Sequence, residues 1–505
     1  MGALISRRSL IAGTTAAAIA GAATALAAEP SIAWDASYDV IVIGYGIAGA
    51  TAARHAADFG ARVLLVDGAP DGAEGGNSKF AKQLLASGHD VDSALTYLKQ
   101  LNAGFEVGED MLRVFAEGVV DLPNYCATYL GADVHSWRGR TDDPVLAPFV
   151  PEYPELAGSS EFDAYTISET SGDGALWFRA QELVEERSAS IDVWTASPAR
   201  HLVQDPETLT VIGAIIEHEG LELSIEATHG IVLACGGFEF NPRMIQDYLG
   251  TSRLFGLGTP YNQGDGIRMA LEVGADLWHM KSYEPGSHTL MFDPGDGTSP
   301  LGAGAVPITG SILYVGPDGS RYCNEQAESR HGRVRQGGEF KPIDHPCKPW
   351  FVWDQTRMDE LTASGMTDAM PILTSDRCIA AASLEELADA CDMNPMTLTQ
   401  TIDHFNFFAE QGCDYQFGRD PQTLRAFDDG PYYALPGYPL ILNTQGGPRR
   451  NTQAQVIHAT GEPIPHLYSA GELGSLNAFQ YQGGNNLAEC LIFGRIAGEN
   501  AATSR

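Results

Sequence analysis

Tyr38-Asp39-Val40-Ile41-Val42-Ile43-Gly44-Tyr45-Gly46-Ile47-Ala48-Gly49 is the stretch on which the fold turns. It begins as a β-branched run of strand character and ends in three spaced glycines. The Ala-rich segment from Ala50 to Gly60 follows with helical character, then a second apolar strand, Val63-Leu64-Leu65-Val66, closed by Asp67. Strand, G-x-G-x-x-G, helix, strand and acid within about 30 residues form a dinucleotide-binding unit. Gly44 permits the tight turn, Gly46 lets a pyrophosphate approach the backbone, and Gly49 lets the helix lie against the strand. The helix N-terminus then faces the phosphates, and Asp67 is placed to accept from a ribose hydroxyl.

Composition sets bounds around this unit. A chain of 505 residues, 44% of them hydrophobic, can bury a large core without disulfide or metal staples. Asp and Glu outnumber Lys and Arg by 65 to 31, so the chain lacks the basic stripe that nucleic acid requires. At the N-terminus, Arg7-Arg8 precedes an Ala/Gly-rich apolar run to Ala27 that ends in Ala25-Leu26-Ala27. Residues 1–27 read as a twin-arginine export signal with an A-x-A cleavage site, the alternative being a membrane anchor. The mature protein is expected outside the cytoplasm, periplasmic or at the cell surface. The eight cysteines stand at least ten residues apart, with no C-x-x-C, so the sequence offers no metal or haem motif. Most read as buried thiols, and their spacing leaves disulfides open.

The G-x-G-x-x-G unit by itself does not separate NAD from FAD. Later segments do. Gly75-Gly76-Asn77-Ser78 follows the second strand. Ile231-Val232-Leu233-Ala234-Cys235-Gly236-Gly237 is a buried strand entering a Gly-Gly turn. Gly264-Asp265-Gly266 opens a helical pattern, Ser469-Ala470-Gly471-Glu472 ends a strand, and Gly483-Gly484-Asn485-Asn486-Leu487 opens the last helix. In this order the segments resemble the flavoproteins of the fumarate reductase and 3-ketosteroid dehydrogenase superfamily. The resemblance implies an α/β fold, a split Rossmann-like FAD-binding domain with an inserted α+β capping domain. The FAD domain would occupy residues 36–277 and 466–505, and the cap residues 278–465. It further implies that Gly44, Gly46, Gly49 and Asp67 hold the ADP half of FAD, with Asn77 and Ser78 near the pyrophosphate and flavin. Gly237 and Asp265 belong to the same cofactor set. Glu472 takes the ribityl or ribose region, and Asn485, Asn486 and Leu487 lie by the pyrimidine. No covalent flavin-histidine motif is present, so the FAD is expected to be non-covalent.

The chemistry follows from the same resemblance. In fumarate reductases an arginine shortly after an R-F-V-N-E-like segment donates the proton. Arg321-Tyr322-Cys323-Asn324-Glu325 matches that segment. Arg330 follows Asn324 by six positions where the family has five; Ser329 holds the strict position, and His331 is an alternative donor. The family's dicarboxylate-binding histidine and arginine are replaced by Asn477 and Tyr481, which argues against fumarate. In ketosteroid dehydrogenases a tyrosine at the Tyr481 position binds the ketone oxygen; Tyr283, where the family has a second histidine, is a further candidate. The expected activity is reduction of a C=C bond conjugated to a carbonyl, an enoate or enone. Hydride would come from the flavin, the proton from Arg330, and polarisation from Tyr481 and Tyr283. The electron donor is expected to be a separate protein. The alternatives are a 3-ketosteroid dehydrogenase running the same geometry oxidatively, and a flavin electron carrier with no small-molecule substrate.

Overall fold

Strand β1 (Ala36–Ile43) ends in an unbroken Val40-Ile41-Val42-Ile43 run, buried throughout because both faces are covered there, as in a parallel sheet. A computed structural model describes residues 32–504 apart from 104, 106, 143–146, 252–253 and 293–305. The expected export signal therefore lies outside the described residues. β1 pairs in parallel with β2 (Val63–Val66), and β2 with β3 (Ile191–Trp194). On its other side β1 pairs in parallel with β4 (Leu221–Leu233), and β4 with β5 (Pro463–Ser469). The order β5-β4-β1-β2-β3 means that the chain leaves the sheet after β4 and returns only at Gln455–Ile457 and β5 to complete it.

Alternation along the strands splits the core in two. Val40, Val42, Val63 and Leu65 enter one core, and Ile41, Ile43, Leu64 and Val66 the other. The first core is roofed by α1 (Ile47–Asp58) and α2 (Asn485–Thr503). These helices cross closely because glycines face the partner backbone. A Cβ on Gly498 would stand 2.3 Å from the Ala52 carbonyl oxygen, and one on Gly494 2.8 Å from that of Ala48.

The intervening chain builds a second layer with its own cores. Its four-stranded antiparallel sheet runs in the order Ile312–Val315, Trp350–Asp354, Tyr432–Pro436, Ile379–Ala381. Arg321 and Glu325, from the segment singled out in the sequence, are buried there. Arg321 pairs with both Glu325 and Asp414 at 2.8 Å, so this stretch fixes the layer internally. A small sheet joins the layers: Leu440–Thr444 pairs with Phe255–Gly256 on one side and Tyr283–Pro285 on the other. A three-stranded meander, Ser329–Arg330, Arg333–Gln336 and Glu339–Pro342, projects toward the FAD-binding half. Gln455–Ile457, expected within the cap, pairs antiparallel with β5, so the parallel sheet begins to reassemble before residue 465. Among the described residues no helix is long and apolar enough to cross a membrane.

Candidate active site

A cleft opens over the C-terminal ends of β1, β2 and β4, where open α/β sheets place their ligands. Its lining includes Gly44, Gly46, Asp67, Asn77, Ser78, Asp265 and Glu472. Two glycines are required by the protein itself. Gly44 has φ +108°, and a Cβ there would lie 2.3 Å from the Ala234 carbonyl oxygen. A Cβ on Gly49 would lie 1.8 Å from the Gly44 carbonyl oxygen. Gly46 differs, because a Cβ there would meet no protein atom closer than 3.6 Å. Its demand for glycine comes from what enters the cleft. The N-terminus of α1 has no acid in its first turn, and its N-cap Gly46 has no side chain, so apart from the Ile47 N–H, which Ser78 accepts, it is suited to face an anion. Asp67 accepts from the Tyr45 and Ala69 backbone N–H groups at 2.6 and 2.7 Å, which ties the glycine loop to the end of β2. Burial pushes its carboxyl up. The cleft fits a dinucleotide pyrophosphate with its ribose at Asp67.

Beyond the loop lies a buried polar cluster. The Asn77 amide donates to Glu239 at 2.7 Å and to Glu472 at 3.0 Å, and its oxygen accepts from the Thr259 N–H at 3.1 Å. Asn262 also donates to Glu239. Burial and then the Glu239 charge push the Glu472 carboxyl well up; burial does the same to Glu239. Gly237 serves this cluster, since a Cβ there would lie 2.1 Å from Thr444 Oγ1 and 2.3 Å from Glu472 Oε1. Ser78 accepts from the Ile47 N–H at 3.2 Å.

The other end of the site is built at the start of α2. Gly484, at φ +94°, caps the helix, and a Cβ there would lie 2.7 Å from the Ala86 nitrogen. The Asn485 amide donates to Asn477 at 2.9 Å, and Asn486 Oδ1 accepts from Asn477 and Gln445. These side chains brace the loop before α2, and Leu487 is buried beside them. Tyr481 is buried as well. Burial and then the Glu284 carboxylate push its phenol up, while the backbone N–H groups of Asn486 and Gly484 act oppositely on the same oxygen. The phenol therefore stays protonated and keeps a hydrogen to donate.

Arg330 is not the residue at Tyr481. Its Nη1 lies 2.7 and 2.9 Å from the Glu155 carboxylate, its Nη2 lies 3.4 Å from Glu328, and its plane covers Phe340. The neighbouring His331 takes that place, with its ring edge-on to Tyr481 at 4.9 Å and against Phe149 at 4.6 Å. The reason is the hairpin. Arg330 pairs with Arg333 across the strands, so the tip that reaches inward is His331-Gly332. Tyr283 is likewise displaced by its neighbour. Successive strand residues face opposite ways, and Tyr283 lies against the second core, its phenol pushed up to about 12 by burial. Glu284 faces inward, paired with Arg333 and accepting from Gln445 at 2.9 Å.

Several residues escaped the sequence reading. Glu152 accepts from His331 Nδ1 at 2.7 Å and from the Gly483 N–H at 3.2 Å. Glu239, Glu284 and the buried Arg450–Glu489 pair were also missed. None sits in a local motif; each is defined by a partner far away in the chain.

The chain matches the FAD binding domain family over residues 39–487, and it belongs to that family. It is similar to a probable fumarate reductase of Shewanella frigidimarina, 26% identical over 95% of this chain and 76% of that protein. It is similar also to a digoxin reductase of Eggerthella lenta, 27% identical over 96% of this chain and 90% of that one. Its fold resembles the crystal structure of a 3-ketosteroid delta1-dehydrogenase from Sterolibacterium denitrificans, with a TM-score of 0.68 at 19% identity. That likeness covers 93% of this chain and all of the other. The α/β fold expected from the sequence is thus the observed one. The protein is an FAD-dependent oxidoreductase of the class that acts on CH–CH and C=C bonds.

Proposed function

We propose that this protein is an exported reductase of a C=C bond conjugated to a carbonyl, using non-covalently held FAD recharged by a separate donor protein. The observation that carries the reading is Tyr481, a phenol buried in the loop that runs into α2 and set edge-on to His331. A phenol held there donates to the carbonyl oxygen and strengthens its bond as that oxygen gains charge. Bound FAD supplies the hydride at N5. The chain's own groups orient the carbonyl, exclude water and deliver the second hydrogen as a proton. Arg333 is neutralised by Glu284, and Arg330 by Glu155 and Glu328. Neither is free to clamp a carboxylate, which supports a substrate with at most one. Export rests on the N-terminal sequence and is checked by fractionating cells that express the full chain.

The test uses purified mature protein, anaerobic, with reduced viologen dye. Dye reoxidation is followed with fumarate, an aryl acrylate, urocanate and an unsaturated 3-ketosteroid. Turnover of an aryl acrylate, urocanate or the steroid, and little with fumarate, is the expected result. Activity confined to the steroid assigns the ketosteroid branch. Reoxidation by none refutes the reading and favours an electron carrier.

A further inference from the structure

We propose that His331 is the group that delivers the proton to the α-carbon, and that Glu152 is the residue that positions it. The inference rests on the reductase reading above and replaces Arg330 in it. Three observations carry it.

The first is placement. Ser329–Arg330 and Arg333–Gln336 form a hairpin with His331 and Gly332 as its two central residues. Both have positive φ, +44° and +71°, the geometry of a tight two-residue hairpin turn. Glycine or asparagine is the usual occupant at the first position, and an imidazole is strained there. The tip is wedged in place, since a Cβ on Gly332 would lie 2.6 Å from Pro285 Cβ. The strain is held against a packed surface, and it aims the ring at Tyr481 and the Gly483 loop.

The second is the carboxylate behind the ring. Glu152 is buried, and both of its oxygens lie within 2.8 Å of His331 Nδ1. A carboxylate only accepts, so Nδ1 carries its hydrogen toward Glu152. Nε2 has no protein partner among the described residues and is the atom left to face a substrate. This is the arrangement of a general acid oriented by a third group.

The third is what Arg330 does instead. Its guanidinium is bound to two glutamates and laid over Phe340, whereas the ring in contact with Tyr481 is that of His331.

The step is a proton transfer. After hydride has reached the β-carbon, the substrate is an enolate whose oxygen is held by Tyr481. The Nε2–H bond of the imidazolium breaks, and the enolate electron pair forms the new α-carbon–hydrogen bond. His331 is left neutral with its hydrogen on Nδ1, and it reloads from solvent, to which its ring is partly open. The titratable and charged groups around the ring are Glu152, Glu284, Tyr481, Arg330 and Arg333.

The experiment compares wild type, His331→Gln, Glu152→Gln and Arg330→Gln, all loaded with FAD, on the carbonyl acceptor from the dye assay and on a nitroalkene. Hydride addition to a nitroalkene gives a nitronate, which solvent can protonate later. His331→Gln is expected to lose about 100-fold or more in kcat on the carbonyl acceptor. It should keep turnover of the nitroalkene and the wild-type visible flavin spectrum. Glu152→Gln can present its amide to Nδ1 and hold the wrong tautomer, so kcat falls by roughly 100-fold with KM little changed. Arg330→Gln keeps wild-type turnover. In D2O, wild type places deuterium on one face of the α-carbon of an α-substituted acceptor. Full carbonyl turnover by His331→Gln, or its loss in Arg330→Gln alone, overturns the assignment and leaves the reductase reading standing. Equal loss on both acceptors marks a structural role and also overturns it. Wild type inactive on every unsaturated carbonyl overturns the reductase reading and the donor with it.

Discussion

Replacing Arg450 by methionine should destabilise the protein most at high pH. Arg450 and Glu489 pair with both side chains fully buried. Glu489 also accepts from Ser475 at 2.7 Å and from the Leu476 N–H at 2.9 Å, while Arg450 donates to the Leu473 carbonyl at 3.0 Å. The pair thus staples the loop after β5 to α2. Burial pushes the Glu489 carboxyl up and the Arg450 guanidinium down, and their mutual attraction opposes both shifts. Removing one partner of a buried pair costs about 3–5 kcal/mol, because the other charge is left uncompensated. At this chain length that is roughly 3–5 °C in melting temperature. The cost depends on pH. Without Arg450 the Glu489 carboxyl titrates still higher in the folded protein than in the unfolded one. Between the unfolded and the folded value the folded state holds the extra proton, so stability is greatest below that interval and is lost as pH rises through the folded value. Arg450→Met should therefore melt near wild type at pH 5 and several degrees lower at pH 9. The double variant Arg450→Met/Glu489→Met should recover most of the loss, since an apolar pair of similar volume carries no desolvation penalty. Melting of the apoprotein at both pH values measures this. A double variant as unstable as the two singles summed would refute the reasoning.

Tyr481→Phe should lower kcat by about 100- to 1000-fold while the flavin spectrum is unchanged, as expected for loss of one oxyanion donor; a change confined to KM would contradict the role. The two glycines of the first loop should separate. Gly49→Ala sets a Cβ 1.8 Å from a backbone oxygen and should lower both folding stability and FAD retention on gel filtration. Gly46→Ala should leave the apoprotein melting temperature unchanged and weaken FAD binding by about tenfold or more, since the clash arises only with the ligand. Glu239→Gln should flatten the pH dependence of apoprotein stability. The Glu239 and Glu472 carboxyls are both raised, so wild type loses stability as pH climbs above the usual glutamate value of 4.5. The amide removes one of the two charges, and the variant should melt higher than wild type at pH 9.

The glycine loop was legible because its requirements are local. Strand, turn, helix and acid lie within about 30 residues, and each constraint acts on a near neighbour in the chain. The polar cluster at Asn77 was half legible. Glu472 ends a strand in a recognisable segment, whereas Glu239 gains its meaning from Asn77, 162 positions away. The proton donor shows a different limit. The family spacing after Asn324 points to the flank of the hairpin, at Ser329 or Arg330, yet the residue at Tyr481 is His331 at the tip, while Arg330 is held by Glu155 and Glu328. Tyr283 and Glu284 repeat the lesson in a strand, where one position exchanges faces. Glu152 had no signal at all, since its histidine lies 179 positions away.

The two halves of the site are joined by one polar chain, and that junction explains why the catalytic groups arise from separate layers. Arg333 follows the hairpin tip that carries His331, and it is bound to Glu284 on the joining sheet. Glu284 accepts from Gln445, and Gln445 also donates to Asn486 in the first turn of α2. Asn486 contributes one of the N–H groups that face the Tyr481 phenol. The group proposed to donate the proton and the group proposed to hold the carbonyl are therefore linked through buried hydrogen bonds, with no exposed loop between them. Both sit on elements whose side chains are locked by partners, which is what a proton transfer to a specific carbon requires. The same chain sets the charge of the pocket. Glu284 neutralises Arg333 and Glu152 binds the His331 ring, so both basic side chains near Tyr481 already have a carboxylate partner. The proposed selectivity against dicarboxylates rests on that pairing, and the residues to which it is assigned are the two glutamates, Glu152 and Glu284.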